Sequence, residues 1–175
     1  MVYIITGGPG FGKTTLIDRL RDLGYLVCPE SARAFLTSDA KDGKTDLKDI
    51  FPPDFERAVA SRRLNFLNEN PEDVTAFSDR GLPDQIAYSW HKKKVPSSFI
   101  EELVAKNKYA SCVFITPPWE EIFIRDEIRK EDFKEAVEIH EQIIKAYLKY
   151  NYRIINLPQV NPEARVKFIL NFLGI

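Results

Sequence analysis

The stretch GGPGFGKTT at residues 7 to 15 constrains this chain more than any other feature. It satisfies G-x-x-x-x-G-K-[ST], with Gly7, Gly12, Lys13 and Thr14 in the required places. Glycines at this spacing let backbone N–H groups turn inward around an anion, and a helix starting at the lysine adds its positive end. Such a loop belongs between a strand and a helix, and both are legible. Residues 2 to 5 (VYII) form a short apolar run, the pattern of a strand covered on both faces. Leu16, Leu20 and Leu23 recur at helical spacing before Gly24, so residues 13 to 23 read as a helix. Gly8, Pro9, Gly10, Phe11, Gly12, Lys13, Thr14 and Thr15 are therefore the expected phosphate cradle. Lys13 is expected to face solvent and reach the β and γ phosphates of a nucleotide, and the Thr14 hydroxyl to ligate Mg²⁺.

The remaining chain continues the alternation. Strands are expected at 25 to 28, 74 to 77, 111 to 116 and 152 to 156. Helices are expected at 31 to 38, 54 to 68, 83 to 92, 97 to 107 and 162 to 173, with 119 to 150 helical apart from a break near 130 to 132. Residues 39 to 53 (DAKDGKTDLKDIFPP) have too few apolar side chains to pack and read as a mobile surface loop. The whole is a single α/β domain over 1–175 with a mostly parallel sheet, in which ligands bind at the carboxyl ends of the strands. Composition agrees: 44% hydrophobic and 29% charged residues exclude disordered and disulfide-scaffold classes. Twenty-five basic against 26 acidic residues leave no global field for nucleic acid or an anionic membrane. Cys28 and Cys112 lie in apolar runs and read as buried thiols, and no leader or membrane-spanning pattern is visible, so the expected location is cytoplasmic.

The phosphate loop, VCPESAR at 27 to 33, SDRG at 78 to 81 and ITPPW at 115 to 119 together resemble the NadR/Ttd14-type AAA domain of P-loop proteins, itself similar to nucleoside and nucleotide kinases. The resemblance covers nearly the whole chain and implies a three-layer P-loop NTPase fold with kinase-like strand order 2-3-1-4-5. It also implies ATP or GTP with Mg²⁺ as ligand and an acceptor that varies within the group.

Residue chemistry points the same way. Asp79 ends an apolar strand, where a Mg²⁺-associated carboxylate belongs, but the next residue is Arg80 and not the glutamate with which ATPases activate water. A dedicated motor is therefore disfavoured. A GTPase switch is disfavoured too, since D-x-x-G and N-K-x-D are both absent. The solvated alternative for Asp79 is a turn residue or helix cap. Glu30, after the second strand, matches the glutamate that accepts the proton of a substrate hydroxyl in nucleoside kinases. Its bland alternative is a surface carboxylate at a helix start. Arg33, three residues after Glu30, and Arg80, the residue after Asp79, are further candidate acceptor ligands.

Arg125 and Arg129 share one helix face after the fourth strand, the place of a lid whose arginines neutralise the transferring phosphoryl group, although an ordinary charged face gives the same pattern. Arg62 falls at the centre of the apolar face made by Phe55, Ala58, Val59 and Phe66, either snorkelling to water or binding the acceptor. Pro158 and Val160 follow the fifth strand, where this fold packs the adenine base. His140 reads as a core or interface histidine without chemistry. No Cys/His cluster has metal-site spacing, so nucleotide-bound Mg²⁺ is the one metal implied. The expected function is transfer of the γ phosphoryl group of ATP or GTP to a small hydroxyl or phosphate acceptor. The alternative is a nucleotide-dependent regulatory module with slow hydrolysis.

Overall fold

The structure, a computed structural model, describes residues 1–30, 52–71, 73–123 and 131–175. Its strands are β1 (Val2–Thr6), β2 (Leu26–Cys28), β3 (Ala76–Asp79), β4 (Cys112–Ile115) and β5 (Arg153–Asn156). They form one sheet in the order β2-β3-β1-β4-β5, and every pairing is parallel. The helices among the described residues are α1 (Lys13–Asp22), α2 (Pro52–Glu69), α3 (Leu82–His91), α4 (Ser98–Lys106), α5 (Phe133–Lys149) and α6 (Pro162–Leu173).

Alternation along the buried strands sorts the core into two halves. Val2 and Ile4 of β1 point to one face, where Leu82, Ile86, Ile100, Ile139 and Ile143 from α3, α4 and α5 cover the sheet. Ile5 points to the other, against Leu16, Ile17 and Leu20 of α1 and Val166 and Ile169 of α6. A parallel sheet covered on both faces makes three layers, which is why its strands read as continuous apolar runs.

Several boundaries differ from expectation. α2 begins at Pro52, inside the stretch read as loop, because proline has no N–H to lose in the first turn of a helix and its fixed φ suits that position. β3 starts two residues late and runs through Ser78 and Asp79. After β4 a short 3₁₀ turn spans Glu120–Ile122 and Phe123 is extended where the sequence predicts helix, whereas the break expected near 130 to 132 is found: α5 starts at Phe133, capped by Asp132, whose carboxylate accepts the Glu135 N–H at 2.8 Å. The expected helix 31 to 38 and most of the expected loop 39 to 53 lie outside the described residues.

Register sets the functional edge of the sheet. Ile5 pairs with Asp79, Thr6 with Ile115, and the chain leaves each strand at one level. The Arg80 N–H donates to the Ile5 carbonyl at 3.0 Å and the Thr116 N–H to the Thr6 carbonyl at 2.8 Å. Gly7, Arg80 and Thr116 thus emerge side by side at the carboxyl ends of β1, β3 and β4.

Candidate functional site

The loop from Gly7 to Gly12 is held in shape by the elements around it. Gly12 caps α1 with φ 81°, in the left-handed region where glycine carries no Cβ penalty. Gly10, at φ 79°, approaches the Phe123 ring so closely that a Cβ would come within 2.5 Å of it. The Phe11 side chain is fully buried in an aromatic nest, with ring centroids 6.0 Å from Phe133, 6.3 Å from Phe123 and 5.9 Å from His140. Phe11 can therefore serve a ligand only through its backbone. Gly8 abuts α5 at the Ala136 carbonyl.

Lys13 departs from expectation. It is 3% exposed, and its ammonium folds back on the loop, donating to the Gly8 carbonyl at 2.7 Å. Packing of α5 against the loop accounts for the burial. His140 is close enough that burial, with help from the Lys13 charge, pushes its imidazole down to about 4. The histidine is neutral at physiological pH, and its Nδ1 has no hydrogen-bond partner. Thr14 is half-buried and Thr15 exposed.

At the end of β3, Asp79 is 1% exposed, and neither carboxylate oxygen has a hydrogen-bond partner. A solvated turn residue would not look like this. Burial raises its pKa to about 6, reinforced by the Glu30 charge and opposed by Lys13 and Arg80. Arg80 follows with φ 71°, a conformation few non-glycine residues adopt, held by the Ser78 hydroxyl donating to the Arg80 carbonyl at 2.8 Å. Its guanidinium spans the site. Nε donates to Glu30 Oε1 at 3.2 Å, and Nη1 donates to the Gly7 carbonyl at 3.1 Å and to Asp84 Oδ1 at 3.0 Å. The Tyr88 ring lies 5.3 Å away on its face. Glu30, Arg80, Asp79 and the phosphate loop are thus one contiguous cluster.

Three buried charged residues at the site were missed in the sequence. Asp84 anchors Arg80 from the first turn of α3; an acid three residues after Gly81 was its only signal. The face of α2 that packs inward is centred on Arg63, not Arg62: Val59, Ala60 and Arg63 are buried, and Arg63 Nη1 donates to the Gly81 carbonyl at 2.9 Å. Arg62, one residue earlier and 100° round the helix, is exposed. It lines a cleft of about 580 Å³ with Val27, Pro29, Asn65 and Phe66. Arg165 of α6 is buried beside the phosphate loop. Pro158 is half-buried and Val160 39% exposed in the loop after β5. Arg33, Arg125 and Arg129 lie outside the described residues. No group of His, Cys, Asp and Glu able to hold a metal by itself occurs among the described residues, and no helix there is long and apolar enough to cross a membrane.

A parallel sheet of order 2-3-1-4-5 with a glycine-rich loop leading from its central strand into a buried lysine defines a kinase-like P-loop domain. Residues 2–165 match the model of the AAA domain family, and the chain belongs to that family. Among solved structures it is similar to a NadR protein in complex with NR, with TM-score 0.71 and 16% identity over 99% of this chain and 51% of that one. The chain thus spans about half the length of that protein. It is also similar to deoxyadenosine kinase from M. mycoides with bound dATP, at TM-score 0.67 and 19% identity with both chains covered in full. Thymidylate kinase from Ehrlichia chaffeensis follows at TM-score 0.63 and 14% identity, covering 98% of each chain. At such identities the likeness is one of fold. No curated protein matches the chain.

Proposed function

We propose that this protein is a phosphotransferase that binds ATP or GTP with Mg²⁺ and moves the γ phosphoryl group to a small hydroxyl or phosphate acceptor. The observation that carries this reading is the Glu30–Arg80 pair, 3.2 Å apart, beside a buried Asp79 carboxylate whose oxygens have no partner. Two buried anionic oxygens without a hydrogen-bond partner from the protein are costly unless a cation or its water shell meets them, so the donor set fits the metal that the fold implies. Thr14 and Asp79 would hold that ion, and its chemistry is to neutralise charge on the β and γ phosphates.

The residues of the chain divide the remaining work. The loop from Gly8 to Thr15 offers backbone N–H groups to the phosphates, and Lys13 exchanges the Gly8 carbonyl for a phosphate oxygen. Glu30 accepts the proton of the acceptor hydroxyl as the acceptor oxygen bonds to the γ phosphorus and the bond to the bridging β oxygen breaks. Arg80 holds Glu30 in place and, with Arg33 and Arg62, binds the acceptor. Arg125 and Arg129, from the sequence pattern alone, are the residues proposed to neutralise charge on the transferring group. No glutamate follows Asp79 to activate water, which favours transfer over hydrolysis. The names of the kinases similar in fold point to a nucleoside or nucleoside monophosphate as the acceptor class.

A screen of nucleosides and nucleoside monophosphates for stimulation of Mg-ATP and Mg-GTP turnover tests the reading. At least one acceptor should raise turnover tenfold or more, by roughly the scale of a positioned acid–base group. Slow turnover that no acceptor changes would favour the regulatory module.

A further inference from the structure

Four of the six residues from Gly7 to Gly12 are glycine, and Phe11 is the one large side chain among them. A backbone this rich in glycine has many conformations to lose when it wraps an anion, a cost that falls on binding unless the loop is held beforehand. Glycines have no side chain with which to hold it. Phe11 has one, and its ring is fully buried. The ring folds back over its own loop: a Cβ on Gly8 would come within 2.4 Å of its edge. A ring so enclosed cannot touch a ligand, so it acts only through the backbone it fixes.

What grips the ring lies outside the loop. Helix α5 brings Phe133, Ala136 and His140 to it, at the i, i+3, i+7 spacing of one helix face. The Ala136 carbonyl occupies the space a Gly8 side chain would need, 2.4 Å from that Cβ position. Phe133 and His140 close on the Phe11 ring at centroid distances of 6.0 and 5.9 Å. Phe123 completes the nest, edge-on to Phe133 at 5.4 Å and pressed against Gly10. From α6, on the opposite face of the sheet, Arg165 Nη1 reaches the Phe11 carbonyl at 3.5 Å. Phe11 is thus held from both layers of helices.

We infer that Phe11 is a positioning residue for the phosphates: its ring, seated in the nest of Phe123, Phe133 and His140, sets the loop N–H groups in their anion-binding arrangement before a ligand arrives. The inference rests on the nucleotide reading above and goes beyond it, because it places part of the affinity for phosphate in α5, outside the loop. Preorganisation of this kind adds affinity by removing an ordering cost, with no contact to the ligand. Deleting the ring returns that cost to the binding step. The loss belongs to the phosphates alone, so a nucleotide and bare tripolyphosphate should suffer it equally.

Calorimetry well below the melting midpoint compares Mg-ATP with Mg-tripolyphosphate. Phe11→Ala should weaken both by the same factor, roughly tenfold or more, the scale of ordering one or two backbone residues on binding. Phe11→Met, which refills the nest with an adaptable side chain, should restore both to within about threefold of the parent. Phe133→Ala changes no atom of the loop and should lose affinity in the same way, while Phe11→Ala/Phe133→Ala should lose no more than Phe11→Ala alone. Turnover at saturating nucleotide should stay within about threefold, so that KM rises and kcat is kept. Parent affinity in Phe11→Ala or in Phe133→Ala overturns the inference, as do losses that add in the double variant. A loss for Mg-ATP that spares tripolyphosphate, or a fall in saturated turnover at unchanged affinity, overturns it too. The half-buried Phe133 site carries the test if Phe11→Ala misfolds. A parent that binds both ligands, with variants that match it, overturns this inference alone. One that binds neither overturns the nucleotide reading and this inference with it.

Discussion

Arg80, in the turn after β3, and Asp84, four residues on in the first turn of α3, form a 3.0 Å ion pair in which the two side chains are 4% and 1% exposed. Asp84 is satisfied on every side: Oδ1 also accepts the Thr6 hydroxyl, while Oδ2 accepts the Gly81 N–H at 2.9 Å and the Tyr147 hydroxyl at 2.6 Å. Burial opposes its ionisation, but Arg80, Arg63 and these hydrogen bonds more than offset it and hold the carboxyl below its usual range. The pair locks the end of β1, the turn after β3 and α5 into one unit, with Arg80 extended toward Glu30.

Removing either partner of such a pair strands the other charge. Asp84→Asn is predicted to cost about 3–5 kcal/mol in urea unfolding, and Tyr147→Phe about 1.5–3 kcal/mol as a lost hydrogen bond to a charged group. The pH dependence follows from the lowered carboxyl: its stabilisation is complete above the unfolded value of 3.8 and is lost as pH falls below it. Acid unfolding in that range should flatten in Asp84→Asn.

Asp79 has the opposite sign. Its folded pKa of about 6 exceeds the unfolded 3.8, so the folded state holds the proton more tightly, and stability falls as pH rises from about 4 to about 6. Asp79→Asn is predicted to be more stable than the parent at pH 7, by up to about 3 kcal/mol, and to lose the slope between pH 4 and 6. The same substitution should weaken Mg-nucleotide binding while leaving metal-free nucleotide unaffected. Equal stability of the two proteins at pH 7 would show that Asp79 is not under electrostatic strain.

Lys13→Met keeps the buried stem and removes the charge. Mg-ATP affinity is expected to fall by roughly a hundredfold, the scale of losing charge-assisted hydrogen bonds worth about 2–3 kcal/mol, with the thermal midpoint nearly unchanged. Calorimetric titration and a melting curve on the same preparation decide it.

Contiguous features could be read from the sequence; features made by tertiary contact could not. The phosphate loop lies in one stretch, and its flanking run VYII announces a central strand, which made the sheet and the position of Asp79 legible. The sequence puts Arg62 at the centre of the inward face of α2 because the apolar residues span a broad arc, and only packing fixes the centre at Arg63. Asp84 and Arg165 each sit in the first turn of a helix among ordinary polar residues, and their partners are distant: Tyr147 is 63 residues from Asp84 and Phe11 is 154 from Arg165. Pro52 falls in the stretch that reads as loop for want of apolar side chains, where it is a helix start.

Glu30 carries the acceptor chemistry in this account. Glu30→Gln should leave nucleotide affinity and basal hydrolysis within about twofold, while acceptor-dependent transfer falls by roughly a hundredfold or more. A parallel fall in nucleotide affinity would recast Glu30 as a support for the phosphate loop through Arg80.

The most direct measurement follows the γ phosphorus itself. The protein is incubated with Mg-ATP labelled in the γ phosphate and with nucleosides and nucleoside monophosphates in turn, and the labelled products are separated. The account predicts label on an acceptor, formed at a rate that depends on Glu30 and Lys13. Label appearing only as inorganic phosphate, at one slow rate whatever is added, would contradict it.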